Sequence, residues 1–232
     1  MEPTRDAKSG DMFTLQPTED LFDRMTAEYD AWFDSPEGRG VFASEVRCIS
    51  PLLVDRPRPW LDVGVGPGRF AQALGADVGI DPAGGAVRVA ATRGVSVVQG
   101  RGEALPFPES QFEVVLVVVT LCFAPSPLAL LRECSRVLTS KGRIILGLVL
   151  ADCPWGRFYQ DLAKAGHRFY SRARFYSMQD VRQLASGSGL AVSGGYSTLF
   201  QPPGTGPVDV EEPVEGISRE AGFVAICLTK GE

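Results

Sequence analysis

From residue 59 onward, short apolar runs alternate with segments in which apolar residues recur every three or four positions. The short runs predict buried strands at residues 60–64, 77–81, 95–99, 112–119 and 143–150. The segments between them predict helices at residues 68–75, 84–93 and 126–138. Because repeated strand–helix units pair their strands in parallel, we expect one sheet with helices on both faces. The strand at 112–119 is apolar on both faces and should lie in the centre of that sheet.

The chain before this alternation predicts two helices. Residues 1–18 are polar and mixed in charge, and we expect a flexible N-terminus there. Apolar residues then recur at helical spacing, at Leu21, Phe22, Met25, Tyr29, Trp32 and Phe33. A second helix is expected at 41–54. The two helices would form a cap, residues 19–56, on a single domain that continues to residue 232.

After the last parallel strand the alternation is interrupted. Residues 151–176 are rich in aromatic and basic side chains, and they predict either a lid insertion over a site or the packing of an inserted helix. Ser177 and Asp180 then form a capping box that opens a helix at 178–186.

Two further strands are expected near the C-terminus, at 191–200 and 222–229. No helix separates them, so they should pair antiparallel. The linker at 202–218 holds four prolines and four acidic residues, which is typical of a mobile surface loop. The sheet would then have seven strands, mostly parallel, with the last strand antiparallel.

Charge and cysteine content exclude several classes of partner. The 232 residues include 23 lysines and arginines against 28 acidic residues, a net charge of −5. Nucleic-acid binding needs a clustered basic face, so we expect no nucleic-acid partner. Five scattered cysteines without C-x-x-C spacing indicate reduced thiols in a cytoplasmic protein, with no metal site. The N-terminus does not resemble a secretion signal, and the longest nearly apolar run, 114–124, is too short to span a membrane.

The stretch at 60–70 carries the first chemical signal. Asp62 precedes three glycines at alternate positions, Gly64, Gly66 and Gly68. Glycines at a strand-to-helix turn let the backbone approach a ligand, and exposed N–H groups favour an anionic or polar one. Arg69 stands where the dinucleotide pattern G-x-G-x-x-G needs its last glycine, and the G-K-[ST] ending of a P-loop is absent.

The pattern L-D-x-G-x-G-x-G resembles the first motif of the class I S-adenosylmethionine-dependent methyltransferases. Gly79-Ile80-Asp81-Pro82 is similar to the end of that family's second strand. Residues 100–115 resemble the G-D-A-E-x-L-P-F-P-D-x-S-F-D-x-V signature of its type-11, ubiquinone/menaquinone-biosynthesis-like group. Residues 131–143 resemble that group's L-x-E-x-x-R-V-L-K-P-G-G. The four motifs follow in the family's order and cover residues 60–150, whereas the tail fits the topology only.

The resemblance implies an α/β, Rossmann-like, doubly wound sheet that binds S-adenosylmethionine at the carboxyl ends of its strands. Asp81 would hold both ribose hydroxyls of the cofactor, because a carboxylate can accept two hydrogen bonds from a vicinal diol. The other candidates for cofactor binding are Asp62, Gly64, Gly66, Gly68, Pro82, Gly102, Glu103, Thr120 and Tyr29.

Several of these candidates keep a second interpretation. Asp62 contacts the cofactor or supports the loop, or it is merely a strand-end residue. Thr120 points into the site or caps a turn. Tyr29 and Trp32 lie on the helix that folds over the cofactor in this group, and they line the site or only pack the helix. His167, the single histidine, is a weak candidate for a catalytic base.

Arg101 departs from the family, which usually has an aspartate there to meet the adenine amino group. An arginine cannot accept that hydrogen bond. The N–H of Gly102 could still donate to the adenine ring, and Glu103 could supply the missing acceptor. We therefore expect adenine binding to be rearranged or weaker.

These features predict an enzyme that transfers a methyl group to a small, apolar or aromatic molecule by in-line displacement. No [DN]-P-P-[YFW] motif follows the fourth strand and no Pro-Cys dipeptide occurs, which argues against exocyclic-amine or cytosine-C5 methylation by those motifs. The alternatives are a non-catalytic S-adenosylmethionine-binding regulatory or assembly protein and a nicotinamide dehydrogenase. An apolar patch on the N-terminal helices could form a homodimer.

Overall fold

The computed structural model describes residues 18–231, which build one mixed sheet covered by helices. Its strands are β1 (Trp60–Val63), β2 (Val78–Asp81), β3 (Ser96–Gln99), β4 (Phe112–Val118), β5 (Leu138–Leu148), β6 (Leu190–Thr198), β7 (Val214–Glu215) and β8 (Phe223–Lys230). They lie in the order β3-β2-β1-β4-β5-β8-β6-β7. Strands β1 to β5 pair in parallel, and β8 runs antiparallel between β5 and β6. The predicted fold class is confirmed, with a two-residue strand, β7, added at one edge.

The helices are α1 (Thr18–Trp32), α2 (Pro36–Ile49), α3 (Arg69–Leu74), α4 (Gly84–Thr92), α5 (Pro127–Val137), α6 (Pro154–Lys164) and α7 (Met178–Ser186). Short 3-10 turns cover Ser50–Leu53, Leu121–Phe123 and Tyr170–Arg172. The capping box of α7 is confirmed, because Asp180 N–H donates to Ser177 Oγ and Ser177 N–H donates to the Asp180 carboxylate. The flexible N-terminus predicted at residues 1–18 lies outside the described residues except for Thr18.

Strand β4 lies in the middle of the sheet, as its apolar sequence predicted. It pairs with β1 on one side and β5 on the other, and six of its seven residues are buried. Residue pairs such as Leu61 with Val115 and Val115 with Ile144 fix the parallel register. This register brings the carboxyl ends of β1, β2 and β4 to the same edge of the sheet.

Two elements, α2 and β5, have boundaries that differ from the prediction. Helix α2 begins at Pro36, five residues before its predicted start, because Ser35 caps it and accepts a hydrogen bond from Gly38 N–H at 2.9 Å. It ends at Ile49, since Pro51 has no N–H for the next turn. Strand β5 begins at Leu138 instead of residue 143, because the chain pairs with β4 through an irregular register directly after α5.

The first half of the 151–176 segment forms helix α6, which packs against the body of the protein as the inserted-helix alternative predicted. Trp155 is buried, and its indole Nε1 donates to the Gln201 carbonyl at 2.7 Å. A Cβ at Gly222 would lie 2.4 Å from the Trp155 ring, so only glycine fits beside it. Tyr159 is also buried. This half of the segment is therefore anchored to the chain around β6 and β8.

The predicted mobile linker at 202–218 is held in place by side chains that sequence patterns did not indicate. The Glu211 carboxylate accepts hydrogen bonds from Phe200 N–H at 2.8 Å and Gln201 N–H at 3.0 Å. Its own N–H donates to Ser44 Oγ on α2 at 3.0 Å. No helix among residues 18–231 has the length and apolar character needed to cross a membrane.

Candidate functional site

A cavity of about 530 Å³ opens where the carboxyl ends of β1, β2 and β4 meet. Its walls come from the glycine loop after β1, the end of β2, the turn after β4, helix α1 and residues 171–174. Eight of the ten predicted cofactor-binding residues line it: Tyr29, Gly64, Gly66, Asp81, Pro82, Gly102, Glu103 and Thr120. Asp62 and Gly68 lie outside this wall.

The three glycines of the loop all have positive φ, but for different reasons. Gly64 has φ +76°, and a Cβ there would lie 2.2 Å from the Thr120 methyl group. Gly68 has φ +84°, and its Cβ would lie 2.9 Å from the Ala90 Cα, so this glycine serves helix packing. At Gly66, with φ +51°, a Cβ would meet no atom within 4 Å. The loop thus leaves open space for a ligand at Gly66 alone.

Asp81 closes the end of β2 over this loop. Its Oδ2 accepts a hydrogen bond from Gly66 N–H at 2.9 Å, and its Oδ1 accepts one from Ala83 N–H at 2.9 Å. Burial raises the pKa of the carboxyl, while these two N–H groups act against that rise. Since each oxygen can accept two hydrogen bonds, both keep capacity for a ligand.

Asp62 is buried beneath the loop, with only 2% of its surface exposed. Within residues 18–231 no group donates a hydrogen bond to its carboxylate. Burial, and secondarily the charge of Asp81, raise the pKa of Asp62 to about 7. A buried carboxylate without a donor is costly unless something else pairs with it.

Gly102 and Glu103, between β3 and β4, also line the cavity. A Cβ at Gly102 would lie 2.8 Å from Val63 Cγ1 and 2.9 Å from Leu130 Cδ1, so the backbone must pass close here. The Glu103 carboxylate accepts a long hydrogen bond from Ser126 N–H at 3.3 Å. Arg101 also lines the cavity.

The second half of the family-like motif holds this loop in place. Glu133 accepts a hydrogen bond from Leu105 N–H at 2.9 Å and pairs with Arg136 at 2.7 Å. Arg136 in turn donates to the carbonyls of Leu105, at 3.0 Å, and Phe107, at 2.9 Å. The E-x-x-R spacing on α5 is therefore a clamp on the 100–108 loop and not itself part of the cavity.

The turn after β4 combines a hydroxyl bonded to the preceding backbone with a rare backbone conformation. Thr120 Oγ1 donates to the Val118 carbonyl at 2.9 Å and makes no side-chain cap of the following 3-10 turn, and its methyl group packs on Gly64. Val119 has φ +52°, which is rare for a β-branched residue. Both residues line the cavity.

An ion-pair cluster fastens α1 to the glycine loop. Arg69 Nε donates to Asp30 at 2.7 Å, and its two terminal nitrogens bind Asp34 at 2.9 and 2.6 Å. Arg93 also binds Asp30, at 2.8 Å, and donates to the Pro67 carbonyl at 2.6 Å. Arg69, which breaks the dinucleotide pattern, thus has a role that sequence reasoning missed. Its partners are 35 and 39 residues away, so no local signal could have shown it.

Aromatic side chains form the wall on the α1 side. Phe22 packs edge-on against Tyr29 at 5.4 Å and against Phe123 at 4.9 Å, and Phe169 lies 5.6 Å from Tyr29. Burial first, and then nearby acidic groups, raise the pKa of Tyr29 well above its usual value. Of the two residues for which cavity lining and helix packing were both open, Tyr29 lines the cavity and Trp32 does not.

Other candidates from the sequence are placed less centrally. His167 is exposed outside the cavity, with its ring stacked on Tyr170 at 4.5 Å. Cys122, one of the five scattered cysteines, lines the cavity, and burial raises the pKa of its thiol to about 12. Arg172 and Arg174, from the basic end of the 151–176 segment, also contribute to the wall. Within the described range no cluster of His, Cys, Asp and Glu could hold a metal ion.

Comparisons with known proteins agree on one family. A family model described as a methyltransferase domain matches residues 61–146. A solved structure from Thermotoga maritima, described as an S-adenosylmethionine-dependent methyltransferase and possible histamine N-methyltransferase, is 32% identical with a TM-score of 0.85. That alignment covers 92% of this chain and 100% of the other.

Two curated relatives carry no described activity. An uncharacterised protein of Mycobacterium tuberculosis is 42% identical over 213 residues, which is 92% of this chain and 75% of the relative. An uncharacterised protein of Methanocaldococcus jannaschii is 33% identical over 210 residues, which is 90% of this chain and 98% of the relative.

Proposed function

The chain belongs to the family of S-adenosylmethionine-dependent methyltransferases, and from this premise we propose that it methylates a small, largely apolar or aromatic molecule by in-line displacement. Family membership implies S-adenosylmethionine as the cofactor. The observation that carries the proposal is one cavity with two unlike walls. Glycine backbone and short acidic side chains form the first wall, and aromatic rings form the second.

The first wall fits the cofactor. Asp81 has acceptor capacity left on both oxygens for the ribose hydroxyls, with Pro82 beside it. The open space at Gly66 leaves room for the methionine part, whose ammonium group would supply the donor that Asp62 lacks. Gly64, Gly68 and Thr120 would act mainly by holding this loop in shape.

The adenine would lie by the 100–108 loop. Gly102 offers a backbone N–H where a side chain has no room. Among residues 18–231, Glu103 accepts one long hydrogen bond, from Ser126 N–H, and it would accept a second from the adenine amino group in place of the aspartate usual in the family. Tyr29 would cover the cofactor from α1.

When bound, S-adenosylmethionine supplies a methyl group that its sulfonium already activates. The contribution of the chain is therefore to position the acceptor in line with that methyl group and to exclude water. Phe22, Tyr29 and Phe123 would provide the dry side of the cavity. Cys122 remains protonated at neutral pH because of its raised pKa, so it does not serve as the base.

The Thermotoga maritima relative supports the size class of the acceptor. Its description names a possible N-methylation of histamine, a small aromatic-ring molecule, and we extend only that class to this chain. We further propose that residues 169–174 act as a lid over the acceptor, since Phe169 contacts both Phe22 and Tyr29. The homodimer, the absence of a nucleic-acid partner and the cytoplasmic location stay predictions.

Replacing Asp81 with alanine tests the cofactor assignment. We expect affinity for S-adenosylmethionine to fall by roughly 1.5–3 kcal/mol, because charge-assisted hydrogen bonds to the ribose are lost. That corresponds to about 10-fold to 150-fold in the dissociation constant, measured by isothermal titration calorimetry. Transfer of labelled methyl groups to a pool of small aromatic acceptors should fall with it.

Asp55→Asn is the matched control, because Asp55 precedes β1 and so lies at the opposite edge of the sheet. It should leave both measurements unchanged. Unchanged affinity in Asp81→Ala would refute the ribose assignment, and wild-type protein that transfers no label to any acceptor would favour the non-catalytic alternative.

A further inference from the structure

The segment that follows α6 brings two arginines into the cavity wall. Arg172 ends the 3-10 turn, and Arg174 comes two residues later. Both side chains belong to residues that line the cavity. The chain as a whole has a net charge of −5, so its composition alone does not account for a basic wall. The proposed function assigns no role to either arginine.

Two sets of contacts place this segment at the aromatic end of the cavity. The N–H of Arg174 donates to the Cys122 carbonyl at 2.7 Å, and Cys122 lies in the turn after β4. Earlier in the same segment, the ring of Phe169 lies 5.5 Å from that of Phe22 and 5.6 Å from that of Tyr29. This stretch of chain therefore runs from the rings of α1 to the turn after β4, on the side assigned to the acceptor.

The end of the segment is also fixed to the sheet. Tyr176 forms a parallel bridge with Leu150, and the N–H of Ala151 donates to the Tyr176 carbonyl at 2.9 Å. Arg174 is two residues from this bridge and is itself bonded to the turn after β4, so its backbone has little freedom. A guanidinium group on a fixed backbone can recognise a ligand by its geometry as well as by its charge.

The acids of the cavity wall do not neutralise this end. Among the lining residues that the structure describes, the acids are Asp81 and Glu103, which the proposed function assigns to the ribose and the adenine. Arg69, another basic side chain of the wall, is paired with Asp30 and Asp34. The charge that the wall presents beside the aromatic rings is therefore positive.

Arg174 also borders a second groove, which Tyr176 and Asp180 help to line. Asp180 does not compensate the arginine, because its carboxylate accepts hydrogen bonds from the N–H and the hydroxyl of Ser177, at 2.8 and 2.6 Å. No acid among residues 18–231 forms an ion pair with Arg174. A guanidinium group has five N–H donors, so contacts with protein groups leave donors for a ligand.

Guanidinium groups beside aromatic rings fit a molecule that has an apolar body and an anionic oxygen group. The planar fork of arginine matches two oxygens of a carboxylate or a phosphate, and it forms charge-assisted hydrogen bonds with them. Aromatic rings provide contact area for the apolar body. Arg174 is exposed and Arg172 is half-buried, so solvent weakens the attraction without abolishing it.

We propose that the acceptor carries an anionic oxygen group, a carboxylate or a phosphate, which Arg172 and Arg174 bind while its apolar body lies on the rings of Phe22, Tyr29 and Phe123. The inference rests on the proposed function, since it names the acceptor class of the same site. The two arginines determine specificity, and nothing is implied about which acceptor atom receives the methyl group.

Two other assignments compete with this one. The Thermotoga maritima relative is described as a possible histamine N-methyltransferase, and histamine is a cation at neutral pH, so a cationic acceptor is the first alternative. The second is that the arginines bind the carboxylate of the methionine part of the cofactor. The experiment has one arm for each alternative.

Four probes with the same ring separate the acceptor classes: phenylacetate, phenyl phosphate, neutral 2-phenylethanol and 2-phenylethylammonium. Calorimetry measures their binding at neutral pH to protein saturated with S-adenosylhomocysteine, the demethylated cofactor. We expect at least one of the two anions to bind about tenfold tighter than the alcohol, as charge-assisted hydrogen bonds partly exposed to solvent allow. The tighter of the two anions identifies the group that the arginines bind.

The double variant Arg172→Gln/Arg174→Gln should bind the anions no tighter than the alcohol, and each single variant should lose part of the preference. Arg168→Gln is the matched control, because exposed Arg168 lies in the same segment, pairs with Glu28 on α1 and does not line the cavity. It should keep the preference. All probes are compared within one protein, so a general loss of stability would affect them alike. Affinity for S-adenosylhomocysteine should be unchanged in the double variant.

Equal or tighter binding of the alcohol or the ammonium probe to the wild type would overturn the inference without any variant. A preference for anions that persists in the double variant, or in both single variants if the double variant does not fold, would also overturn it. So would its loss in Arg168→Gln, or a fall in S-adenosylhomocysteine affinity in the double variant, which would assign the arginines to the cofactor. Failure of the wild type to bind S-adenosylhomocysteine at all would instead contradict the proposed function.

Discussion

The two walls of the cavity are built by different means. On the proposed cofactor side, the wall consists of glycine backbone and of acidic side chains near strand ends, and the glycine φ values and the Asp81 hydrogen bonds fix its shape. On the proposed acceptor side, rings from α1 meet Phe123 and Phe169 edge-on or tilted, at centroid distances of 4.9 to 5.6 Å. The first wall depends on main-chain geometry and the second on side-chain packing.

This difference affects what a substitution can do. A wall made of backbone tolerates little change, because an added Cβ either strains the chain or fills the ligand space. A wall of rings can be remodelled one side chain at a time, because each ring adds area without controlling the fold. We therefore expect substitutions on the first wall to change cofactor binding and stability, and those on the second to change acceptor choice.

The largest expected effect concerns two buried acids, Asp62 beneath the glycine loop and Glu45 on α2. Burial raises the pKa of Glu45 to about 8 in the folded protein, so its stabilising contribution is complete below the pKa of the unfolded chain and is lost as the pH rises through about 8. Between pH 5 and 9 the free energy of unfolding should fall by roughly 3–5 kcal/mol more in the wild type than in Glu45→Gln. Urea denaturation at several pH values measures this.

Asp62→Asn tests the second buried acid, beneath the glycine loop. The pKa of Asp62 is raised to about 7, so its loss of stability should be complete at lower pH than that of Glu45. Equal pH slopes in the wild type and in both variants would show that neither acid is buried as described.

The next largest effect distinguishes two glycines of the same loop. Gly64→Ala puts an alanine at a positive φ and a methyl group 2.2 Å from the Thr120 side chain. We expect this variant to lose about 3 kcal/mol of unfolding free energy. Gly66→Ala meets no neighbour and should cost only about 1–2 kcal/mol. Thermal denaturation compares them.

Gly66→Ala should change cofactor affinity more than it changes stability. In Gly66→Ala the added methyl group lies in the open space of the cavity, so affinity for S-adenosylmethionine should fall although the protein stays folded. If Gly66→Ala binds the cofactor as tightly as the wild type, that space is not the cofactor site.

A smaller effect is expected where the two walls are joined. Asp30→Asn weakens the ion pairs of Arg69 and Arg93 and should cost about 1–2 kcal/mol, since these side chains are only partly exposed. Burial acts to raise the pKa of Asp30, but the hydrogen bonds from both arginines hold that pKa below its usual value. Exposed Asp34→Asn should cost less, and equal costs would contradict the bridging role of Asp30.

The cofactor wall could be predicted from the sequence because its parts are close together in the chain. The strand, the glycines and Asp81 all fall within 60–82, and each has a local physical reason for its residue type. The Arg69–Asp30 pair, the packed linker at 202–218 and the place of Cys122 at the cavity could not be predicted, because they depend on contacts between distant segments.

Glu45 is a different case, because a signal existed. The residue stands on the apolar stripe of α2 between Val41 and Ile49, and a helical projection would have shown a charge at a core position. The apolar members of that stripe predict the helix, and Glu45 is buried with them because α2 packs against β6 and β8.

The most direct test of the cofactor assignment is native mass spectrometry of the purified protein in an equimolar mixture of S-adenosylmethionine and NAD. We expect one S-adenosylmethionine per chain, no NAD, and loss of the bound cofactor in Asp81→Ala but not in Asp55→Asn. Binding of NAD, or wild-type protein that remains free of S-adenosylmethionine at saturating concentration, would contradict the central claim.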